Sequence, residues 1–151
     1  MRNEETDLGD IVYIGLGSNL GDREATLESA VAAIGSLPRT EILRTSSWYE
    51  NPAMGIEGGN DFLNGVAEVR TELAPRELLD HLLQIERDHG RERKPKLQSP
   101  GYQNRTLDLD ILIYGDLNLK EDHLQIPHPR MWEREFVRVP LAELGVLPRQ
   151  V

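Results

Sequence analysis

Hydrophobic positions divide the first part of the chain into a strand and a helix. The segment "IVYIGLG", which starts at Ile11, is rich in β-branched and aromatic residues and runs into a turn-forming Gly-Ser-Asn-Leu-Gly stretch. Asp22 is suited to cap a helix, and apolar residues recur after it at helical spacing as far as "GSLP". The chain therefore begins with a buried strand, a turn and an amphipathic helix.

The middle of the chain predicts two further strands and a second helix. Residues 41–49, "EILRTSSWY", are typical of one strand, and "FLNGVAEVR" from Phe62 is typical of another. A Gly- and Pro-rich loop separates them. Pro75 fits the first position of a helix whose leucines line one side, and Gly90 supplies its end.

A fourth strand, "RTLDLDILIYG", occupies residues 105–115. The resulting order, β-α-β-β-α-β, predicts an α+β fold with a ferredoxin-like core, in which an antiparallel sheet carries both helices on one face. The C-terminal extension predicts an irregular segment, a short strand and a turn of helix around residues 140–144.

Length and composition favour one cytoplasmic domain. The 151 residues fit a single domain, 1–151, with a flexible N-terminus at residues 1–9. No apolar run approaches the roughly 20 residues that span a bilayer, and the first ten residues are polar and acidic instead of carrying an apolar signal region. The absence of cysteine excludes disulfides and thiolate zinc sites and is compatible with the cytosol.

The charge distribution indicates a small anion site. A net charge of -9 disfavours nucleic acid and anionic lipid as partners, because both attract basic surfaces. Two of the three lysines lie in "GRERKPK" beside Arg91 and Arg93. Such a local basic segment in an acidic chain is typical of a site for one small anion.

The D-x-D of the fourth strand needs an explanation, because Asp is depleted in strands. Two residues of a strand rise by about 6.6 Å and share a face, so Asp108 and Asp110 converge, while Leu107, Leu109, Ile111 and Ile113 are expected on the helix-covered face. The charges of the two aspartates repel each other by roughly 2 kcal/mol at an effective dielectric near 20. A bound Mg²⁺ would replace this repulsion by attraction of both carboxylates to the cation. Taken alone, the pattern favours a simpler interpretation, an open sheet face or charges that protect an edge strand.

The glycine-rich segment leaves two interpretations open. Gly15, Gly17 and Gly21 do not have the spacing of a dinucleotide site, and no Walker lysine follows. The segment is compatible with a tight turn in which Asn19 adopts an unusual backbone conformation. It is equally compatible with a turn that brings backbone amides near a ligand.

His128 lies between two prolines that fix its backbone, and Arg134 and Phe136 follow closely. A single histidine is more often structural than functional. The combination with an arginine and an aromatic residue nevertheless raises the expectation of a phosphate contact and a ring-stacking contact.

Six motifs in this order resemble one enzyme family. They are "YIGLGSNLGD", "SSWYENPAMG", "NDFLNGV", "GRERK", "RTLDLDILIYG" and "PHPRMWEREFVRVPL". They are similar to 6-hydroxymethyl-7,8-dihydropterin pyrophosphokinases of folate biosynthesis, over nearly the whole span from Ile11 to Leu144. The resemblance implies a ferredoxin-like fold and transfer of pyrophosphate from ATP to the pterin hydroxymethyl group, with AMP as the second product.

The resemblance also implies roles for individual residues. Asp108 and Asp110 would hold two Mg²⁺ ions against the ATP phosphates, and both count as catalytic together with Arg91, Arg93 and Arg105. The residues implied to bind ATP are Arg91, Arg93, Lys94, Arg105, Ile111, His128 and Arg134. The residues implied to bind the pterin are Asn51, Pro52, Met54, Phe62, Asn64, Tyr102 and Phe136.

Two alternatives remain at this point. Ferredoxin-like domains often bind RNA or regulatory ligands, although RNA-binding versions carry basic and aromatic residues where this chain carries carboxylates. A pyrophosphokinase-like protein that has lost catalysis is the second alternative, which the intact D-x-D disfavours. The leading expectation is a monomeric enzyme with small-molecule substrates and no nucleic acid or membrane partner.

Overall fold

A computed structural model describes residues 9–51, 61–90 and 107–148. Seven strands and three α-helices occur among these residues. The strands are β1 (Asp10–Ser18), β2 (Thr40–Thr45), β3 (Tyr49–Asn51), β4 (Phe62–Thr71), β5 (Asp108–Tyr114), β6 (Leu119–Glu121) and β7 (Leu124–Ile126). The helices are α1 (Arg23–Gly35), α2 (Pro75–Asp88), α3 (Glu135–Glu143) and a 3₁₀ turn at Met131–Glu133.

The main sheet has the strand order β2-β4-β1-β5, and β3 also pairs with β4. Each of these pairings is antiparallel. A separate hairpin, β6-β7, follows β5. The prediction of an α+β fold with an antiparallel sheet is confirmed. The assignment of residues 1–151 to one domain stays a prediction. Residues 1–8 of the predicted flexible N-terminus lie outside the described part.

Helices α1 and α2 cover one face of the sheet. The main core combines their apolar side chains with alternate residues of the strands, among them Val12, Ile14, Leu16, Leu27, Ile34, Leu78, Leu82, Leu109 and Ile111. Asp22 caps α1, since its carboxylate accepts a hydrogen bond from the Ala25 amide at 3.1 Å. In the turn before α1, the residue with positive φ is Gly21 (66°). The expectation that Asn19 adopts this conformation is therefore wrong, because glycine reaches it without a steric penalty.

Helix α3 covers part of the opposite face, where a short strand and a single helical turn were predicted. Val137, Leu141 and Leu144 recur at helical spacing and pack with Val66 and Leu112 in a second core. Burial of this stripe outweighs the low helix propensity of a valine-rich segment that contains a proline. The face that carries Asp108 and Asp110 is thus only partly open.

A buried carboxylate network fixes the end of α3 to the sheet. Glu68 accepts hydrogen bonds from the Tyr13 hydroxyl at 2.5 Å and from Arg44 Nε at 2.8 Å. Arg44 also donates to the Leu144 carbonyl at 2.8 Å. Hydrogen bonding to Arg44 lowers the pKa of Glu68, and burial together with Glu68 raises the pKa of Tyr13 to about 12. The network therefore holds a charged carboxylate and a neutral phenol at neutral pH.

The segment 41–49 forms two strands instead of the predicted one. Strand β2 ends at Thr45. The Ser46 amide donates a hydrogen bond to the Val66 carbonyl, and the Ser46 hydroxyl accepts one from the Val66 amide, both at 2.9 Å. Trp48 then packs on the backbone of Gly65, where an added Cβ would lie 2.4 Å from the indole ring. These two contacts interrupt the regular pairing before β3 begins.

Strand β5 contains a bulge that sequence periodicity does not predict. Ile14 pairs with Ile111 and the adjacent Tyr13 pairs with Ile113, so Leu112 is an extra residue. The alternation of side chains shifts at this point, and Ile113 packs on the α3 side instead of on the face covered by α1 and α2. The expectation that Ile113 joins Leu107, Leu109 and Ile111 is therefore wrong.

None of the helices within the described residues is long and apolar enough to cross a membrane.

Candidate active site

The strand register places two predicted site residues in one row across the sheet. Asp108 of β5 lies opposite Gly17 of β1, Gly17 lies opposite Asn64 of β4, and Asn64 lies opposite Tyr49 of β3. Directly opposed residues of antiparallel strands project from the same face. Asp108 and Asn64 therefore share the face opposite α1 and α2, on either side of Gly17.

Two glycines in the middle of this face carry no side chains of their own, and the side chains of Asn64 and Leu112 lie over them. Gly17 separates Asp108 from Asn64, and Gly15 lies opposite Asp110 in the next row. With strands about 4.8 Å apart, the backbones of β5 and β4 are roughly 10 Å apart across this glycine gap. A Cβ added at Gly17 would lie only 2.7 Å from Asn64 Oδ1, so the close approach of Asn64 requires glycine there.

An amide and an aromatic residue line the β4 side of the glycine gap. Asn64 is 6% exposed and Phe62 is 8% exposed, and their two-residue spacing puts both on the same face. Asn64 Nδ2 donates a hydrogen bond to Oδ1 of Asn51, which lies opposite Phe62 on β3. The side chain of Asn64 is thereby oriented before any ligand binds.

The carboxylate pair lies on the β5 side of the glycine gap. Asp108 and Asp110 are half-buried and lie on either side of Leu109, whose amide points away from β1. Glu86 of α2, only 3% exposed, accepts the hydrogen bond of that amide at 2.8 Å. A buried carboxylate in the layer below thus fixes the backbone that carries the pair. No local sequence pattern distinguishes Glu86 from the other polar residues of α2.

His128 joins the carboxylates through the bulge in β5. Its amide donates to the carbonyl of Leu112 at 2.9 Å. Burial, followed by the nearby charge of Arg134, lowers the pKa of His128, and the Asp108 carboxylate partly opposes this. The Arg130 amide donates to Nδ1 at 3.3 Å, so the neutral imidazole carries its proton on Nε2. This side chain can donate a hydrogen bond near Asp108 at neutral pH.

Arg134 and Phe136 come from the segment that crosses the same face. The guanidinium of Arg134 lies 5.9 Å from the centroid of the Phe136 ring, within the range of a cation–π contact. Phe136 packs at the border of the α3 core. Arg134 and Phe136 therefore place a cation beside a flat apolar surface on the α3 side of the sheet, and their contacts with a ligand stay a prediction.

The other predicted site residues divide into two groups. The side chain of Ile111 packs in the core beneath the sheet and is 4% exposed, so a nucleotide contact of this residue would come from its backbone. The remainder lie outside the described residues, namely Pro52, Met54, Arg91, Arg93, Lys94, Tyr102 and Arg105.

The donor set fits Mg²⁺ better than a metal that needs a complete protein cage. In the described part of the chain, no group of three or more His, Cys, Asp or Glu side chains could hold a metal. Mg²⁺ is commonly held by one or two carboxylates, with waters and substrate phosphates as the other ligands. Two aspartates on one face therefore provide what the protein normally contributes to such a site.

Comparison with known proteins points to one family. Residues 13–146 match the model of the 7,8-dihydro-6-hydroxymethylpterin-pyrophosphokinase family. A 2-amino-4-hydroxy-6-hydroxymethyldihydropteridine pyrophosphokinase of Bacillus subtilis is 43% identical over 137 residues, which cover 91% of this chain and 79% of that protein. Its namesake in Haemophilus influenzae is 44% identical over 139 residues, covering 90% and 84%. The chain thus belongs to the 7,8-dihydro-6-hydroxymethylpterin-pyrophosphokinase family.

Proposed function

We propose that this chain transfers the terminal pyrophosphoryl group of ATP to 6-hydroxymethyl-7,8-dihydropterin, in folate biosynthesis. The hydroxymethyl oxygen forms a bond to the β-phosphorus, the bond from that phosphorus to the oxygen bridging it to the α-phosphorus breaks, and AMP leaves. The hydroxyl proton is released to solvent. The family match favours this enzyme over an RNA-binding module.

The observation that carries the proposal is the arrangement around the glycine gap. The carboxylates lie on one side, and the oriented amide of Asn64 with the Phe62 ring lies on the other. A pterin is flat and has hydrogen-bonding groups along its edge, so an aromatic face and an amide suit it. A polyphosphate chain would then extend toward Asp108, His128 and Arg134, where a metal-binding carboxylate, a hydrogen-bond donor and a cation are available.

Phosphoryl-type transfer asks the protein mainly to position reactants and to neutralise charge. Asp108 and Asp110 would hold two Mg²⁺ ions. When bound, such ions neutralise phosphate charge and stabilise the attacking and leaving oxygens. His128 would donate its Nε2 proton as a hydrogen bond to a phosphate or nucleotide oxygen, and Arg134 would pair with phosphate. No covalent nucleophile of the protein is needed.

We further propose that the fold is ferredoxin-like. The order β2-β4-β1-β5 with antiparallel pairing supports it, because each βαβ half of that fold receives a strand of the other half between its own two strands. Action as a monomer in the cytoplasm stays a prediction.

Product analysis tests the reaction. With ATP, the pterin and magnesium, we expect AMP and the pterin diphosphate in equal amounts, which chromatography with ultraviolet detection resolves. Formation of ADP, or no turnover in the presence of magnesium, would contradict the proposal.

The metal assignment has its own test. Asp108→Asn and Asp110→Asn should each lower kcat by at least about 100-fold, the range for removal of one key electrostatic group, and leave the thermal midpoint near that of the parent. Asp116→Asn is the matched control, because Asp116 is exposed in the turn after β5. Chelation should abolish AMP formation, and added Mg²⁺ should restore it. Full activity of either site variant would remove its carboxylate from the proposed metal site.

A further inference from the structure

Arg23 connects three parts of the chain at the edge of the proposed pterin side. It is the first residue of α1. Its Nη1 atom lies 2.9 Å from Oε2 of Glu50 and donates to the carbonyl of Asp61, also at 2.9 Å. Glu50 immediately precedes Asn51, and Asp61 immediately precedes Phe62. One guanidinium nitrogen therefore joins the end of β3 to the start of β4.

The contact lies beneath the residues proposed to read the pterin. Glu50 lies opposite Leu63, whose side chain packs against the main core. Glu50 therefore projects toward the helices, whereas its neighbour Asn51 projects to the site face with Phe62. Arg23 thus holds the two strand ends from the side opposite to the ligand.

Strand β3 contacts α3 as well as β4, and Tyr49 at its start lies beside Glu135, the first residue of α3. The strand is three residues long, and among the described residues its strand partner is β4, so the Arg23 contact acts at the opposite end of β3 from the contact with Glu135. Its last residue, Asn51, supplies the oxygen that orients the Asn64 amide. A small shift of Asn51 along or away from β4 would therefore rotate Asn64, because a hydrogen bond between two short side chains transmits the displacement.

We propose that Arg23 is a positioning residue for pterin recognition, which acts by bridging Glu50 and Asp61 so that Asn51 holds Asn64 in its binding orientation. This inference rests on the proposed function for its ligand. It predicts a selective effect: loss of the bridge weakens use of the pterin and leaves use of ATP, which binds toward β5, nearly unchanged.

Arg23→Met tests the inference, with Arg76→Met as the matched control. Arg76 lies in the first turn of α2 and pairs with Glu121 on the β6-β7 hairpin, away from Asn64. We expect Arg23→Met to raise KM for the pterin about five- to ten-fold, the loss that corresponds to one misplaced hydrogen bond. KM for ATP should stay within about two-fold, and Arg76→Met should change neither constant by more than that. Arg23→Lys keeps the charge but replaces the planar guanidinium by an ammonium at a different position, and it should fall between.

A second readout does not depend on turnover. In ¹⁵N spectra, the side-chain amide resonances of Asn64 should shift in Arg23→Met and in Glu50→Gln, but not in Arg76→Met. The inference would be overturned if Arg23→Met raised both KM values equally. It would also be overturned if the pterin KM and the Asn64 resonances of Arg23→Met matched those of Arg76→Met. Failure of the parent protein to form AMP would instead refute the proposed function, and the Asn64 resonances would still decide whether Arg23 orients that amide.

Discussion

Replacement of Gly17 by alanine tests whether the glycine gap is required for the orientation of Asn64. The added Cβ would lie 2.7 Å from Asn64 Oδ1, closer than a stable carbon–oxygen contact. Asn64 is 6% exposed and bonded to Asn51, so it has little room to move. Overpacking of this kind costs about 2 kcal/mol, and loss of the bond to Asn51 costs about 1 kcal/mol more.

The lower entropy of the unfolded alanine chain offsets about 0.7 kcal/mol of this loss. We therefore expect Gly17→Ala to lower the free energy of unfolding by about 2 kcal/mol, measured by urea denaturation. Displacement of the Asn64 amide should also raise KM for the pterin about ten-fold.

Two further variants make this test decisive. At Gly15, an added Cβ meets the Leu112 side chain at 3.4 Å, an ordinary contact, so Gly15→Ala should leave the free energy of unfolding unchanged or slightly higher. In an Asn64→Ala background the clash at position 17 is absent, and Gly17→Ala should no longer destabilise the protein. Gly17→Ala with unchanged stability and an unchanged pterin KM would refute the proposed reason for the glycine.

Two other predictions concern buried carboxylates. Glu86→Ala leaves the Leu109 amide without this acceptor and should lower both kcat and the free energy of unfolding, the latter by about 2 kcal/mol. Glu86→Gln keeps an acceptor and should lose less stability. Equal losses of the two variants in urea denaturation would contradict this prediction. The folded pKa of Glu68 lies below its ordinary value of 4.5, so its stabilising contribution is present above that pH and is lost as pH falls through the folded pKa. Glu68→Gln should therefore show a shallower acid decline in thermal midpoint than the parent, and parallel declines would argue against the network with Arg44.

The sequence predicts those parts of the fold in which local pattern and burial agree. Strands β1 and β4 and helices α1 and α2 occur where the periodicity places them, because each contributes a row of apolar residues to the main core. Only the last part of α3 was predicted as helix, since Val137, Val139 and Pro140 locally favour other structures and packing in the second core, which includes Val66 and Leu112, stabilises the helix. The break at Ser46 depends likewise on a partner about 20 residues away, which periodicity does not reveal.

The same distinction applies to the site. The D-x-D and the His128–Arg134–Phe136 segment are visible as motifs, because their chemistry is written in adjacent residues. Glu86 and Arg23 act through backbone groups of distant segments, so their identities alone carry no signal. A signal did exist for the glycine gap: Gly15 and Gly17 are two residues apart in a strand, which predicts two missing side chains on one face. Its importance became visible only when the register placed Asn64 beside it.

The bulge at Leu112 changes the phase of β5 partway along its length. Before it, Ile111 faces the main core; after it, Tyr114 faces the same core and its hydroxyl donates to the Leu73 carbonyl. Ile111 and Tyr114 are three residues apart, so strict alternation through Leu112 would put them on opposite faces; the bulge at Leu112 lets both face the main core. Because of this extra residue, the half of β5 that bears the aspartates and the half that anchors the fold each keep their own alternation against β1.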